Sequence, residues 1–153
     1  MHSYNGIFGS AAARWSLAIL FIAGFTGCEQ FSKQENIYST YTEASASGAI
    51  SYGFLPKFMP TSAQRIQEMH GRTSNDLLVT YAYAPADKAA MLAKCQAIAA
   101  KDLRYPQHLT EWWPEDLRGA AYQSSAYEYF HCTGEGGFLA INAAQSIAFF
   151  WRI

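Results

Sequence analysis

The sequence predicts an α+β domain: a small, mostly antiparallel sheet of four to five strands with two helices on one face. Short segments with alternating apolar side chains, two segments with helical spacing, and the Pro and Gly residues between them indicate this class. The chain has 153 residues, of which 50% are hydrophobic, so it can build one core and is too apolar for a disordered protein. A formal net charge of -1 gives no electrostatic reason to bind nucleic acid.

The first element, residues 1–27, has the form of an export signal. Arg14 precedes an uncharged run of nine residues from Leu17 to Phe25. A transmembrane helix needs about 20 apolar residues to cross a hydrocarbon core of about 30 Å. The short run therefore favours a cleaved signal peptide over a permanent membrane span.

The end of this run resembles the lipobox of bacterial lipoproteins, on the residues Phe25, Thr26, Gly27 and Cys28. The resemblance implies that Cys28 is lipidated, becomes the mature N-terminus and anchors the protein to a membrane. Glu29, rather than Asp, is compatible with transfer to the periplasmic face of the outer membrane. The alternative is an ordinary secretory signal, which leaves Cys28 as a free or disulfide-bonded thiol. Both alternatives export the chain.

Residues 28–48 are expected to be a flexible tether after the lipidated cysteine. Residues 29–48 are polar, contain six Ser and Thr residues, and show no sustained period of 2 or 3.6. Random-coil scaling gives twenty such residues a reach of about 25 Å, enough to lift a domain off the membrane. Residues 49–153 then form the single α+β domain.

The first half of the domain is predicted to alternate strand and helix. Residues 49–55 form a short strand that ends at Pro56, since proline cannot donate to a strand ladder. A helix runs from Thr61 or Ser62 to His70, because apolar side chains recur there every three residues. Those side chains are Ala63, Ile66 and Met69.

The next strand, residues 77–83, is predicted because its alternation places Leu77, Val79, Tyr81 and Tyr83 on one face. A second helix, residues 86–101, starts after Pro85 and has one amphipathic face. That face holds Met91, Leu92, Cys95, Ile98 and Ala99. Residues 105–123 are irregular, with a short helix at 114–118. Three strands at 127–132, 137–142 and 146–152, joined by short turns, complete the chain.

Cys95 and Cys132 are predicted to form a disulfide where the second helix packs on the sheet. They are the two cysteines left once Cys28 is lipidated, and two cysteines in an exported protein tend to pair. The bridge would stabilise the fold by about 3 to 4 kcal/mol. The alternative is a pair of buried, reduced thiols.

No catalytic residue, metal or cofactor is assigned from the sequence. The histidines lack the close spacing typical of zinc sites, and no serine has a nucleophile elbow around it. Glu111, Glu115 and Asp116 lie near two tryptophans, as in some glycan hydrolases. The alternative for these acids is an acidic surface loop.

The pair Trp112 and Trp113 is the strongest candidate for partner binding. With Tyr105 and Tyr122 it could form an exposed aromatic ridge for a protein or glycan, because tryptophan is enriched at interface hot spots. The alternative is that one or both indoles belong to the core.

Residues 52–83 and the C-terminal hairpin resemble segments of small uncharacterised bacterial lipoproteins. The likeness rests on Tyr-Gly-Phe-Leu-Pro-x-Phe-Met-Pro from residue 52 and on Gly-Gly-Phe-Leu-Ala-Ile-Asn from residue 136. It implies a shared fold and provides no catalytic residue. The expected function is a non-catalytic, membrane-anchored binding module of the cell envelope, of the accessory, inhibitor or immunity type, with an envelope protein as partner. The alternative is a small envelope hydrolase acting on glycan.

Overall fold

The computed structural model describes residues 32–122 and 124–153, and seven antiparallel strands form one sheet there. The order across the sheet is β1-β2-β3-β7-β6-β5-β4. The strands are β1 Lys33–Thr40, β2 Gln64–Gly71, β3 Leu77–Ala82, β4 Gln96–Ala97, β5 Glu128–Cys132, β6 Gly137–Asn142 and β7 Ile147–Arg152.

The predicted fold class was wrong in both its strand count and its helices. The described residues hold two short α-helices, α1 at Tyr41–Ala46 and α2 at Lys88–Leu92, together with isolated 3-10 turns. The helix expected at residues 61–70 is strand β2. Ile66 and Met69 are both buried but on opposite faces of the sheet. A strand buried on both faces can therefore show the three-residue apolar spacing that is typical of a helix.

The helix expected at residues 86–101 is also mostly absent. A 3-10 turn at Pro85–Asp87 leads into α2, which ends at Leu92, and the chain then enters the two-residue strand β4. The segment is rich in alanine, which favours a helix locally. Residues 96 and 97 instead pair with β5 at the edge of the sheet, and this pairing outweighs the local preference for a helix.

The C-terminal part of the expected tether belongs to the sheet. β1 begins at Lys33, and α1 follows it directly with a capping box at its start: the Glu43 N–H donates to Thr40 Oγ1 at 3.2 Å, and the Ser39 N–H donates to Glu43 Oε2 at 2.7 Å. The strand expected at residues 49–55 is a series of turns. Residues 1–31, including the expected signal and Cys28, lie outside the described part of the chain.

The strands expected at 77–83, 127–132, 137–142 and 146–152 are present as β3, β5, β6 and β7. Both faces of this part of the sheet are buried. Face one packs against residues 41–63 and α2, through Ala44, Leu55, Met59, Ala63 and Met91. Face two packs against residues 98–127, through Leu103, Trp113 and Leu117. The connections, rather than long helices, therefore form the two outer layers.

The predicted disulfide is present between Cys95 and Cys132. Its setting differs from the expected one, because it joins two strands rather than a helix and the sheet. Gln96 lies opposite His131 in the β4–β5 register, so the bridge extends this short ladder by one position. It fixes the edge strand β4 to the body of the sheet.

Replacing both Cys95 and Cys132 with alanine should lower the free energy of unfolding by about 4 kcal/mol, because the bridge closes a long loop in the unfolded chain. Urea unfolding of the wild type and the double variant measures the difference. A reductant should lower the stability of the wild type by a similar amount and leave the double variant unchanged. Equal stability of the oxidised wild type and the variant would contradict this role.

Gly137 is expected to tolerate no side chain. A Cβ atom there would lie 2.5 Å from Phe150 Cζ and 2.5 Å from the Trp151 carbonyl oxygen, whereas a Cβ at Gly134 would meet nothing within 4 Å. Gly137→Ala should therefore cost about 1 to 3 kcal/mol of unfolding free energy through overpacking. Gly134→Ala is the matched control and should be near neutral. Similar unfolding midpoints for the two variants would exclude this close approach.

Candidate functional site

The outer edge of β1 is the first part of the candidate site. Ser32 and Arg72 lie opposite each other in the register, and the Arg72 N–H donates to the Ser32 carbonyl at 2.9 Å. Along an antiparallel ladder, the backbone N–H and C=O groups of successive residues point alternately toward the neighbouring strand and away from it. The even-numbered residues of β1 therefore bond to β2, and the odd-numbered residues direct their N–H and C=O groups away from it.

One outward N–H is already bonded, because Ser39 donates to the carboxylate of Glu43. The remaining outward-directed residues of β1 are Lys33, Glu35 and Ile37. The Lys33 ammonium lies 2.7 Å from Glu35 Oε1. The hydrogen bond from Lys33 lowers the pKa of Glu35, and the hydrogen bond from Trp112 acts in the same direction. The edge thus carries an ionised pair followed by an apolar side chain.

The second part of the site is an uncovered area of face two, which we call the open sheet corner. It is a shallow depression of about 510 Å³ across four neighbouring strands. Its floor includes Ile37, Ser39, Arg65, Gln67, Thr80, Ala82 and Ile147. Arg65 has a φ of 51° at a register shift in β2, so a β-bulge bends the strand at this corner.

Sheet register explains why the corner stays open. The row that contains Glu35, Met69, Leu78 and Trp151 is covered by the layer of residues 98–127. In the adjacent row, that layer covers Phe149 through Trp113 and Tyr127. The layer does not extend to Ile37 in the same row, whose side chain is 71% exposed.

Trp112 lies at the border between the covered row and the open sheet corner. Its Nε1 donates to Glu35 Oε2 at 3.1 Å, and Glu35 and Ile37 occupy the same face of β1. The indole is half-buried and packs edge-on against Trp113, with the ring centroids 5.9 Å apart. Trp112 is therefore partly accessible and lies next to Ile37, the most exposed apolar side chain of β1.

Trp113 is a core residue, which corrects its expected place on an exposed ridge. Only 1% of its surface is exposed, and its ring packs edge-on against Phe149 and Trp151. Its Nε1 donates to the Leu117 carbonyl at 3.1 Å. The indole N–H is therefore satisfied inside the second core.

The two tyrosines expected to contact a partner are Tyr105 and Tyr122. Tyr105 is half-buried and packs against the second core. The backbone of Tyr122 ends a 3-10 turn at Ala120–Tyr122, and its side chain lies outside the described part of the structure. Cys28, the expected lipidation site, also falls outside the described residues.

The acidic residues considered for hydrolysis gain no structural support. Glu111 and Glu115 are exposed, and Asp116 is half-buried beside a 3-10 turn. None of the three lines the four clefts found on the described residues. Within these same ranges, no group of three or more His, Cys, Asp or Glu residues could hold a metal ion.

A buried polar cluster lies on face one behind β1. Glu68 is fully buried, its Oε2 accepts from Asn36 Nδ2 at 2.7 Å, and its Oε1 lies 2.6 Å from His70 Nδ1. The ring of His70 stacks on Phe54 with centroids 3.8 Å apart. Burial raises the pKa of Glu68, and the hydrogen bonds from Asn36 and His70 only partly oppose this. The cluster is closed by packing and fixes β1 to β2.

The raised pKa of Glu68 should make the protein less stable as pH rises. Its folded pKa lies above the ordinary value of 4.5, so the stability that neutral Glu68 contributes is complete below that value and is lost as pH rises through the folded pKa. Urea unfolding from about pH 4 to about pH 8 should show the wild type losing stability relative to Glu68→Gln. Glu111→Gln, at an exposed position, is the control. Parallel curves for the wild type and Glu68→Gln would contradict a raised pKa.

A separate cleft of about 400 Å³ lies beside the disulfide. Phe58 and Met91 provide apolar walls, and Lys57, Lys94 and Glu135 provide charges. The sequence gives no signal for this cleft, because its walls come from three separate segments of the chain.

Comparison with protein families matches part of the chain. Residues 32–89 match the family model of the YbbD head domain, which is less than half of the chain. The matched segment contains β1, β2 and β3, and with them most of the open sheet corner. No curated protein and no solved structure matches the chain. Of the helices in the described residues, none is long and apolar enough to cross a membrane.

Proposed function

We propose that the protein is a membrane-anchored, non-catalytic binding module of the bacterial cell envelope that recognises an envelope protein through the open sheet corner. The observation that carries the proposal is the exposed Ile37 beside an uncovered area of four strands. Uncovered apolar surface with a polar rim is typical of interaction sites on small domains.

The composition of the corner suits a protein partner. Ile37, Ala82 and Ile147 provide apolar surface, and Gln67 and Thr80 provide hydrogen-bonding groups between them. Protein–protein interfaces likewise combine apolar contact with direct hydrogen bonds, roughly one per 100–200 Å². The half-buried indole of Trp112 adds a rigid aromatic group at the border, of the type enriched in binding hot spots.

The proposed anchor rests on the sequence around Cys28. A multiply acylated cysteine supports stable membrane attachment, since two lipid chains suffice for it. The residue after the cysteine, Glu29, supports placement at the periplasmic face of the outer membrane. The proposal assigns no cofactor and no nucleic acid, and it places the module among accessory, inhibitor or immunity-type proteins.

In-cell cross-linking followed by purification and identification of the captured protein tests the proposal. Ile37→Ser should reduce capture at least about fivefold if Ile37 is an interface hot spot. Tyr52→Ser is the matched control, because Tyr52 is 73% exposed and lies away from the corner. Its capture should equal that of the wild type.

A Cys28→Ala form separates the anchor from the binding surface. Loss of capture with Cys28→Ala and with Ile37→Ser, but not with Tyr52→Ser, is the expected pattern. Equal capture by Ile37→Ser and the wild type would exclude the open sheet corner as the binding surface. An intact mass without acylation would exclude the anchor.

A further inference from the structure

The two edges of the sheet differ in how far they are protected. At one edge, β4 has two residues and is held by the Cys95–Cys132 bridge. At the other, β1 has eight residues, without proline, and no strand of the described residues lies outside it. A long unpaired edge of this kind is a template for a further strand.

A second copy of the chain offers the same outward groups as the first. In an antiparallel pair, residues that exchange hydrogen bonds lie directly opposite each other. Odd-numbered residues of one β1 must therefore face odd-numbered residues of the other. This requirement excludes every register that pairs an odd-numbered residue of one copy with an even-numbered residue of the other.

Charge and capping select among the remaining registers. A register centred on Glu35 would set two carboxylates opposite each other, which is unfavourable. Registers centred further along the strand need the Ser39 N–H, which Glu43 already binds. Centred on Gln34, the register sets Lys33 of each copy opposite Glu35 of the other.

We propose that two copies of the chain pair antiparallel through the outer edges of β1, with Gln34 on the two-fold axis. Residues 32–36 of each copy then face each other, and the two sheets become one continuous sheet. The pairing forms two reciprocal Lys33–Glu35 ion pairs between the copies, in place of the single pair within each strand. This inference is independent of the proposed function, since it uses the edge of β1 rather than the open sheet corner.

Cross-linking at the two-fold axis tests the pairing. Gln34 would face Gln34 of the second copy in a non-hydrogen-bonded pair, where Cα atoms lie about 4.5 Å apart and a disulfide fits. Mild oxidation of Gln34→Cys in detergent should therefore give a species of twice the monomer mass on a non-reducing gel. Thr42→Cys, at an exposed position on α1, is the matched control, and the wild type accounts for Cys28. The Thr42→Cys and wild-type chains should remain mostly monomeric.

Charge exchange tests the register. Lys33→Glu or Glu35→Lys, each combined with Gln34→Cys, should slow cross-linking roughly tenfold, because like charges then face each other across the axis. The exchanged form K33E/E35K restores both opposite-charge pairs and should recover the rate. Recovery separates pairing at this register from a general loss of edge stability.

Cross-linking of Gln34→Cys no faster than that of Thr42→Cys would overturn the proposal, as would rates unchanged by both Lys33→Glu and Glu35→Lys. If Gln34→Cys does not fold, as judged by near-ultraviolet circular dichroism, light scattering on the full-length wild type, K33E and K33E/E35K decides instead. A concentration-dependent dimer that K33E loses and K33E/E35K regains supports the pairing. A monomer at every concentration refutes it.

Discussion

Burial of both faces of the central strands is the constraint on which the rest of this structure depends. β3, β6 and β7 carry apolar side chains on both sides, so two covering layers are required. With only short helices in the described residues, the connections supply these layers. Trp151 Nε1 donates to the Arg104 carbonyl at 2.6 Å, which bonds the sheet to the irregular layer above it.

The covering layers also decide where the protein can meet another molecule. On β1, the layer on face two ends at Glu35, and the layer on face one closes over Glu68 and His70 of β2. β1 consequently has one partly covered face, one open face and an unpaired edge. The proposed partner surface and the proposed pairing edge are both consequences of this single strand lying at the limit of the covering layers.

Much of the C-terminal half could be predicted from the sequence, because β5, β6 and β7 are short segments rich in apolar and aromatic residues that follow one another through tight turns. β2 could not, because Glu68 and His70 satisfy each other inside the fold and so interrupt the apolar pattern. β1 has the composition of a linker, because most side chains of an edge strand face water. The disulfide was predictable from the cysteine count together with the export that the N-terminal sequence predicts. The sequence assigned the two tryptophans no distinct places, and only packing shows that Trp113 lies in the core and Trp112 at the border of the open sheet corner.

The start of β1 at Lys33 limits how the domain could explore its surroundings under the proposed anchor. Only residues 29–32 separate Cys28 from the sheet, and five fully extended residue steps span about 17 Å. The domain would then stay close to the lipid headgroups and would not reach far into the periplasm. Its encounters would become a two-dimensional search, in which lateral diffusion of lipids sets the rate and partners must present their binding segment close to the bilayer.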